Sequence, residues 1–458
     1  MKLYNTLTRS KEPLVPLAPP KVGLYTCGPT VYNYQHVGNY RTYAFEDLLV
    51  RSLTLLGFKP LRVLNITDVG HLTSQGDEGE DKMEVGAARE GKTAWDVAKF
   101  YTDAFLADWK EFRFLDPDVL CRATDHIPEQ IDLVKRLDAK GFVYKTSDGL
   151  YFDTAKLPDY GKLMSKEHLE GLKSGARVEA NPEKRHLTDF ALWKFSPKDS
   201  KRQMEWDSPW GRGFPGWHIE CSAMAQRYLG ETFDVHCGGI DHVPVHHTNE
   251  IAQSEGANGK PFAKVWMHAE FLLMNNAKMA KSSGGFVAVA DLKKAGFSPL
   301  DYKYHCFSAH YRKQLDFTWE SLEAARTARR RLADAVRPLA GETPKPGAEA
   351  FSERFRAALA DDLNAPAALA VVWDALRADL PAGAKAAFMK EAESVLALDL
   401  FAPAEEAAVP PAVQALLDAR AAARAAKDFA ASDRIRAELD ALGWLVEDAK
   451  GGQKARPK

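Results

Sequence analysis

The chain has 458 residues, of which 45% are hydrophobic and 27% are charged. At about 150 residues per domain this length predicts about three domains, and the composition excludes wholesale disorder and collagen-like or coiled-coil chains. Lys and Arg number 61 and Asp and Glu number 63, so the formal net charge is -2. This balance excludes a generally basic protein that coats nucleic acid.

The sequence shows no pattern of export or membrane insertion. Its N-terminus lacks the apolar run of a signal peptide, and no stretch approaches the length of a membrane span. We therefore expect a soluble, cytoplasmic protein. Its five cysteines are too few and too scattered for a disulfide framework, so we expect reduced thiols. They are Cys27, Cys121, Cys221, Cys237 and Cys306.

The first 115 residues predict a parallel α/β unit. Residues 22–27 and 61–67 are short β-rich runs bounded by Gly or Pro, and between them apolar residues recur at helical spacing from Ala44 to Leu56. Strand, helix and strand in this order are typical of a parallel sheet. Ligands of such sheets bind beyond the carboxyl ends of the strands, where residues 26–30 fall.

The middle of the chain predicts an insertion. Residues 129–140 have a helical pattern, and residues 142–152 predict a hairpin around an Asp-Gly pair. A polar, Lys-rich stretch follows and ends near Pro197.

The α/β pattern then returns. It predicts a helix at 217–229, a strand at 232–237 and a helix after Pro244. Beyond Pro299 the sequence is mostly helical and becomes Ala-rich, with breaks at 341–347 and 403–411.

A first candidate for ligand binding lies between the first strand and helix. His36 and Asn39 would place hydrogen-bond donors at a helix N-terminus, which favours anions such as a triphosphate, and Gly38 would allow close approach. The alternative is a helix-capping Asn that follows a packed His.

A second candidate is the stretch from Lys278 to Gly285, which holds Lys278, Lys281 and two serines before a Gly pair. Such a loop could close over phosphates and stabilise the charge that develops on them. The alternative is a solvated surface loop.

The third candidate is a metal site. His246 and Glu250 are four residues apart and would share one face of a helix. Together with Cys27 and Cys221 they form a reasonable set of zinc ligands. His242 and His247 compete with His246 for the histidine position.

These candidates combine into a resemblance. The residues around His36 and Lys281 resemble the two signatures of class I aminoacyl-tRNA synthetases, and the chain as a whole resembles the cysteinyl-tRNA synthetase family. The similarity runs in order from about residue 20 to about residue 325, continues more weakly near residue 361 and resumes near residue 426. Its motifs are residues 27–32, 65–68, 216–224, 246–254, 361–366 and 426–436.

The resemblance implies roles for individual residues. Zinc would be held by Cys27, Cys221, His246 and Glu250. His36 and Asn39 would bind the phosphates of ATP, with Lys278 and Lys281 from the mobile loop and Asp241 at the nucleotide. Gly28, Thr67, Trp217 and Asp241 would lie in the substrate-binding pocket.

The resemblance also implies the architecture. The fold class would be α/β, with a Rossmann-type parallel-sheet catalytic domain split by an insertion, then a helical bundle and a small C-terminal anticodon-binding domain. The expected divisions are catalytic residues 1–120 and 201–275, the insertion 121–200, a stem-contact region with the lysine loop 276–320, the bundle 321–402 and the anticodon-binding domain 412–458.

The sequence departs from the family pattern at a few positions. Ala280 replaces a usual Ser in the lysine loop, and Asn39 replaces a frequent His but keeps a donor. Val245 and Thr248 are local variations beside the histidine pair. The tail at 451–458 lacks the Trp-containing ending common in the family.

The implied activity is ATP-dependent activation of cysteine to cysteinyl adenylate, followed by transfer to tRNA(Cys). We expect one Zn²⁺ per chain to select the substrate thiolate, Mg²⁺ to accompany ATP, and the chain to act as a monomer. Two alternatives remain at this point: a ligase that transfers activated cysteine to a small amine, and a non-catalytic RNA-binding paralogue.

Overall fold

The fold is taken from a computed structural model, which describes residues 1–69, 72, 81–165, 181–197, 202–274, 277–278, 286–403, 410–449 and 452–457. The chain forms two compact units, Met1–Phe401 and Ala402–Lys458. No helix among the described residues is long and apolar enough to cross a membrane.

The first unit combines strands and helices. Its described strands are β1 Lys2–Asn5, β2 Ser10–Pro13, β3 Lys21–Thr26, β4 Lys59–Ile66, β5 Val119–Arg122, β6 Val143–Lys145, β7 Gly149–Phe152, β8 Phe190–Phe195, β9 Gly213–Pro215, β10 Phe233–Gly239, β11 Ala263–Ala269, β12 Leu272–Met274, β13 Ala277–Lys278 and β14 Leu315–Phe317. Its described α-helices are α1 Val37–Leu55, α2 Lys82–Glu90, α3 Ala94–Glu111, α4 Ile127–Ala139, α5 Trp217–Leu229, α6 Thr248–Asn258, α7 Val289–Lys294, α8 Pro299–Phe307, α9 Trp319–Val336, α10 Glu349–Ala360, α11 Ala365–Arg377 and α12 Ala382–Leu396.

The central sheet is parallel and has five strands in the order β11-β10-β3-β4-β5. Strands β3 and β10 are neighbours although about 200 residues separate them in the chain. The strand order reverses beside β3, so its carboxyl end lies at the crevice where ligands of such sheets bind. The predicted α/β class with a parallel sheet is confirmed.

Helix α1 begins beside His36 and Asn39, where a helix N-terminus was predicted, and ahead of its apolar pattern. The pattern starts at Ala44, whereas the helix begins at Val37. The reason is a reciprocal cap, in which the His36 side chain accepts from the Asn39 backbone and the Asn39 side chain accepts from the His36 backbone. A local polar motif therefore sets the first two turns of the helix.

The segment between the two halves of the parallel sheet carries an antiparallel sheet, β6-β7-β8-β9. Its first pair is the hairpin predicted around Asp148 and Gly149. Strand β9 ends at Pro215, two residues before α5 begins. The antiparallel sheet thereby positions the start of a helix that carries site residues.

A buried ion pair network connects α1 to the helices that follow the parallel sheet. Asp47 accepts from Lys303 Nζ at 3.0 Å and from Arg51 Nε at 2.8 Å. Arg51 also donates to the carbonyl oxygen of Ser394 on α12 at 3.0 Å. We call Asp47, Arg51 and Lys303 the ion cluster.

In the second unit the described residues form two helices and a two-stranded antiparallel sheet. Its buried core holds one Trp and four aliphatic residues, Val413, Leu417, Leu439, Trp444 and Val446. Its elements are α13 Pro411–Ala425, α14 Phe429–Ala441, β15 Trp444–Ala449 and β16 Gly452–Pro457.

Candidate active site

Four potential metal ligands meet at the carboxyl end of the parallel sheet. Cys27 follows β3, Cys221 lies on α5, His246 follows β10 and Glu250 lies on α6. All four side chains are buried, and their ligand atoms all lie within 4.8 Å of one another. We call these four residues the ligand cluster.

The local structure around His246 differs from the expected helix. His246 lies in a five-residue π-helical turn, Val243–His247, which precedes α6 and has Pro244 in its first turn. The wider turn still carries His246 onto Glu250, whose Oε1 lies 2.9 Å from His246 Nε2. A π turn inside a helix often marks a functional site.

The ligand cluster holds charge in a buried place. Burial would raise the pKa of Cys221, but a hydrogen bond from Cys27 and the nearby His246 lower it to about 6. Burial would lower the pKa of His246, but Glu250 and Cys221 raise it to about 10. Burial would likewise raise the pKa of Glu250, whereas His236 and His246 lower it to about 2.

The donor set suits a zinc ion. Two sulfur atoms, one imidazole nitrogen and one carboxylate oxygen are ligands that Zn²⁺ commonly takes in proteins. A thiolate with a low pKa is also the form of Cys that binds a metal. The residues therefore fit the metal that the sequence led us to expect.

A second group of four ligand atoms overlaps the first. It replaces Cys221 and His246 by His236 and His247, and it shares Cys27 and Glu250. His236 Nε2 lies 2.9 Å from Glu250 Oε2, and His247 Nε2 lies 3.3 Å from Cys27 Sγ. His247 is in turn bonded to His268 at 2.8 Å.

Sequence reasoning missed His218, His236 and His268. His218 Nδ1 lies 3.1 Å from Nδ1 of His246 and thereby contacts the ligand cluster directly. Each of the three is a buried polar side chain on a strand or helix that also carries buried apolar residues. That pattern was the available signal, because a buried polar side chain needs a partner.

Gly28 and Thr67 lie beside the ligand cluster and share a partner. The Gly28 N–H donates to Asn65 Oδ1 at 2.9 Å, and Asn65 Nδ2 donates to Thr67 Oγ1 at 3.1 Å. A Cβ atom at Gly28 would lie 1.6 Å from the Asn65 carbonyl oxygen, so only glycine fits there. Asn65 thus orders two residues of the predicted pocket.

Helix α5 contributes two further side chains. The Trp217 ring stacks on His246, with 4.4 Å between the ring centroids. Glu220 is fully buried; burial raises its pKa, Cys221 and Asp68 add to the rise, and the Thr67 hydroxyl opposes it.

The residues predicted to bind the phosphates and the nucleotide lie at the start of α1 and in a short turn after β10. His36 Nδ1 accepts from the Asn39 N–H at 3.2 Å, so a neutral His36 ring carries its proton on Nε2. The structure therefore shows a helix cap in which both His36 and Asn39 take part. Asp241 is exposed in the 3-10 turn Ile240–His242 that follows β10.

The lysine loop is described only in part. The Lys278 backbone belongs to β13 and pairs with Leu273. Lys281 and Ala280 lie outside the described residues.

Two family models and several known proteins match the chain. Residues 13–327 match a model of the class I (C) tRNA synthetase catalytic domain, and residues 406–456 match the cysteinyl-tRNA ligase anticodon binding domain. A cysteine–tRNA ligase of Burkholderia lata is 53% identical over 99% of this chain and 96% of its own. One from Novosphingobium aromaticivorans is 44% identical over 98% and 95%.

The fold also matches a solved structure, Mycobacterium tuberculosis methionyl-tRNA synthetase in complex with methionyl-adenylate. Its TM-score is 0.58 at 15% identity, over 90% of this chain and 96% of that one. The anticodon-domain match disfavours transfer to a small amine, and the relatives' names disfavour a non-catalytic paralogue. The chain belongs to the cysteine–tRNA ligase family of class I aminoacyl-tRNA synthetases.

Proposed function

We propose that the chain activates L-cysteine with ATP and transfers it to tRNA(Cys), using the ligand cluster to choose cysteine. The observation that carries the choice of amino acid is the convergence of two thiols, an imidazole and a carboxylate at the end of the parallel sheet. Such a site is suited to recognise sulfur.

The ligand cluster would hold Zn²⁺ through Cys27, Cys221, His246 and Glu250. When bound, zinc supplies a centre that prefers thiolate and lowers the pKa of a thiol from its usual ~8.5. Serine differs from cysteine only by oxygen for sulfur, and shape separates such near-isosteres by only about 10²-fold. A sulfur-specific contact can supply the remaining discrimination.

The other site residues position the reactants. The donor on His36 and the N-terminus of α1 bind the phosphates of ATP, together with Asn39. Lys278 and Lys281 stabilise the charge that builds on the phosphates, and Asp241 binds the nucleotide. Mg²⁺ accompanies ATP as part of the substrate.

Gly28, Thr67 and Trp217 line the pocket for the amino acid. The substrate carboxylate attacks the α-phosphorus of ATP, and pyrophosphate leaves. The terminal adenosine of tRNA then attacks the activated carbonyl. Neither step needs a nucleophile from the protein, so positioning and charge stabilisation account for catalysis.

Two of the regions expected from the sequence would contact the tRNA. Residues 276–320 would meet the stem and 412–458 the anticodon, while the insertion at 121–200 serves no editing reaction. The chain would act as a monomer, which sedimentation analysis in the presence of tRNA would test.

Pyrophosphate exchange with cysteine and with serine tests the proposed choice of substrate. Cys221→Ala should lose bound zinc and most of its exchange with cysteine. The matched control is Cys121→Ala, since Cys121 is equally buried but donates to the Leu64 carbonyl instead of joining the ligand cluster. If Cys221→Ala kept both its zinc and its preference for cysteine, the proposed metal site would be wrong.

Charging of purified tRNA(Cys) tests the second step. The wild-type chain should transfer cysteine to this tRNA and not to a small amine such as glucosamine. Exchange activity without tRNA charging would contradict the proposed acceptor while leaving the activation step standing.

A further inference from the structure

Glu220 is a buried carboxyl group for which the described part of the chain offers no hydrogen-bond partner. It is fully buried on α5, and neither of its oxygens has a hydrogen-bond partner among the described residues. A buried polar group that is left unsatisfied destabilises the folded chain, and a charged group does so more strongly. A group this costly to bury points to a partner that the free chain does not supply.

Nearby buried carboxylates are satisfied within the chain. Asp68 accepts from the Thr124 N–H at 3.0 Å and from the Thr124 hydroxyl at 2.6 Å. Asp81 accepts from the Met83 N–H at 2.6 Å and pairs with Arg202. Glu220 differs from both because its oxygens meet no donor in the described structure.

The position of Glu220 on α5 places it beside the ligand cluster. Trp217, Glu220 and Cys221 occupy positions i, i+3 and i+4, which share one face of a helix. Trp217 stacks on His246, and Cys221 belongs to the ligand cluster. The same face of α5 therefore carries both the Glu220 carboxyl group, which has no hydrogen-bond partner among the described residues, and side chains that belong to or contact the ligand cluster.

The carboxylate also borders Thr67. The Thr67 hydroxyl oxygen accepts a hydrogen bond from Asn65 Nδ2, so the hydroxyl proton points away from Asn65. It lies near enough to influence Glu220 without forming a hydrogen bond of ordinary geometry. The Thr67 hydroxyl and the Glu220 carboxyl group thus lie next to each other, and the carboxyl oxygens can accept hydrogen bonds from a further donor.

We propose that Glu220 binds the α-ammonium group of the amino-acid substrate while the substrate sulfur lies at the ligand cluster. Three bonds separate nitrogen from sulfur in cysteine, so the two groups lie within roughly 4.5 Å of each other. Glu220 and Cys221 are neighbours on α5, so their side chains leave the helix at nearly the same level, about 1.5 Å apart along its axis. The proposal rests on the proposed function, because it assigns a residue to that same substrate.

Three thiols separate the contributions of the ammonium and the carboxylate. Cysteine has both groups, cysteamine has the amine alone, and 3-mercaptopropionate has the carboxylate alone. Their binding to the zinc-loaded protein is measured as the KM of cysteine in pyrophosphate exchange and as inhibition constants for the other two.

Glu220→Gln keeps the shape of the side chain and removes its charge. We expect the KM of cysteine and the inhibition constant of cysteamine to rise roughly 10- to 100-fold, the range of a hydrogen bond to a charged group. The inhibition constant of 3-mercaptopropionate should stay unchanged, and kcat should fall less than kcat/KM. Zinc content should equal that of the wild type.

Equal weakening of all three thiols, or weakening of none, overturns the proposal. Loss of binding of 3-mercaptopropionate in particular would indicate a structural role. Glu393→Gln is the matched control, since Glu393 is a partly buried carboxylate on α12 that accepts from the Leu398 and Leu400 backbones, and its loss should leave the ratio of the three constants unchanged.

The wild-type measurement distinguishes this inference from the proposed function. Absence of cysteine-dependent exchange in the wild type contradicts the proposed function itself. Normal exchange in the wild type together with an unaltered Glu220→Gln contradicts only the assignment of Glu220.

Discussion

The ion cluster and the ligand cluster are both buried in the first unit, but they differ in how their groups are satisfied. In the ion cluster Asp47 accepts from Lys303, from Arg51 and from the Leu115 N–H, and Lys303 also donates to the Phe112 carbonyl. Its charges are matched by donors and acceptors from the chain. Such a cluster is satisfied by contacts within the chain, as expected for a structural role.

The ligand cluster lies among more potential metal ligands than one four-coordinate metal ion needs. Two sets of four ligand atoms overlap at Cys27 and Glu250, and both are buried. Without a metal ion, His246, whose pKa is raised to about 10, supplies the positive charge beside the Cys221 sulfur and the Glu250 carboxylate, and a bound cation would supply it instead. The difference teaches that a surplus of buried ligand atoms, rather than burial of charge as such, marks the binding site.

Metal removal gives the largest contrast between the clusters. Dialysis against a chelator should remove one zinc per chain and reduce exchange with cysteine by at least about 100-fold, since losing even a supporting residue of a metal site costs 10- to 100-fold. Added zinc should restore it. Far-UV circular dichroism should remain unchanged, because the ion cluster and the core need no metal. Full exchange in metal-free protein would contradict the role of the ligand cluster.

Breaking the ion cluster should affect stability and leave zinc content alone. Lys303→Met leaves the Asp47 carboxylate buried with Arg51 as its remaining cation, and we expect a loss of about 3 kcal/mol in the free energy of unfolding. Urea denaturation measures it. The control is Lys99→Met in the exposed Lys99–Asp103 pair, which should cost less than about 1 kcal/mol.

Substitutions of histidine decide between the two ligand sets. His236→Asn should weaken zinc binding about 10- to 100-fold, because His236 orients Glu250 without belonging to the proposed set. His246→Asn should abolish stoichiometric binding. Competition with a zinc-sensitive dye measures both, and His126→Asn, at a histidine bonded to Tyr228, serves as the control. The reverse order of effects would favour the set with His236 and His247.

Acid dependence should give the smallest effect. Burial would raise the pKa of Asp47, but Lys303 and Arg51 lower it below its ordinary value of 3.8. The stabilisation is therefore complete above that value and is lost as pH falls through the lower pKa of the folded state. Urea denaturation between about pH 5 and pH 3 should show a shallower decline for Lys303→Met than for the wild type, since the pKa of Asp47 is then closer to that of the unfolded chain. Identical slopes would contradict this assignment.

Much of the fold follows from local pattern. The strands at 21–26 and 59–66, the hairpin at 143–152 and the helix Trp217–Leu229 lie where apolar spacing and turn residues predicted them. The start of α1 follows from the polar pair His36 and Asn39, which predicted a helix N-terminus that the apolar period alone does not mark. The π turn before α6 was missed, since the four-residue spacing of His246 and Glu250 fits an ordinary helix equally well.

The sequence by itself determined the parallel α/β unit, the residue types of a sulfur and nitrogen metal site and, through its ordered motifs, the family. Those properties depend on residues that are close in sequence, whose periodicity and chemistry do not depend on distant parts of the chain. Only the tertiary structure brought Cys27 to Cys221 and buried Glu220 on the same helix with no hydrogen-bond partner among the residues that the structure describes. Contacts between residues about 200 positions apart depend on how strands β3 and β10 pair, which no local pattern specifies.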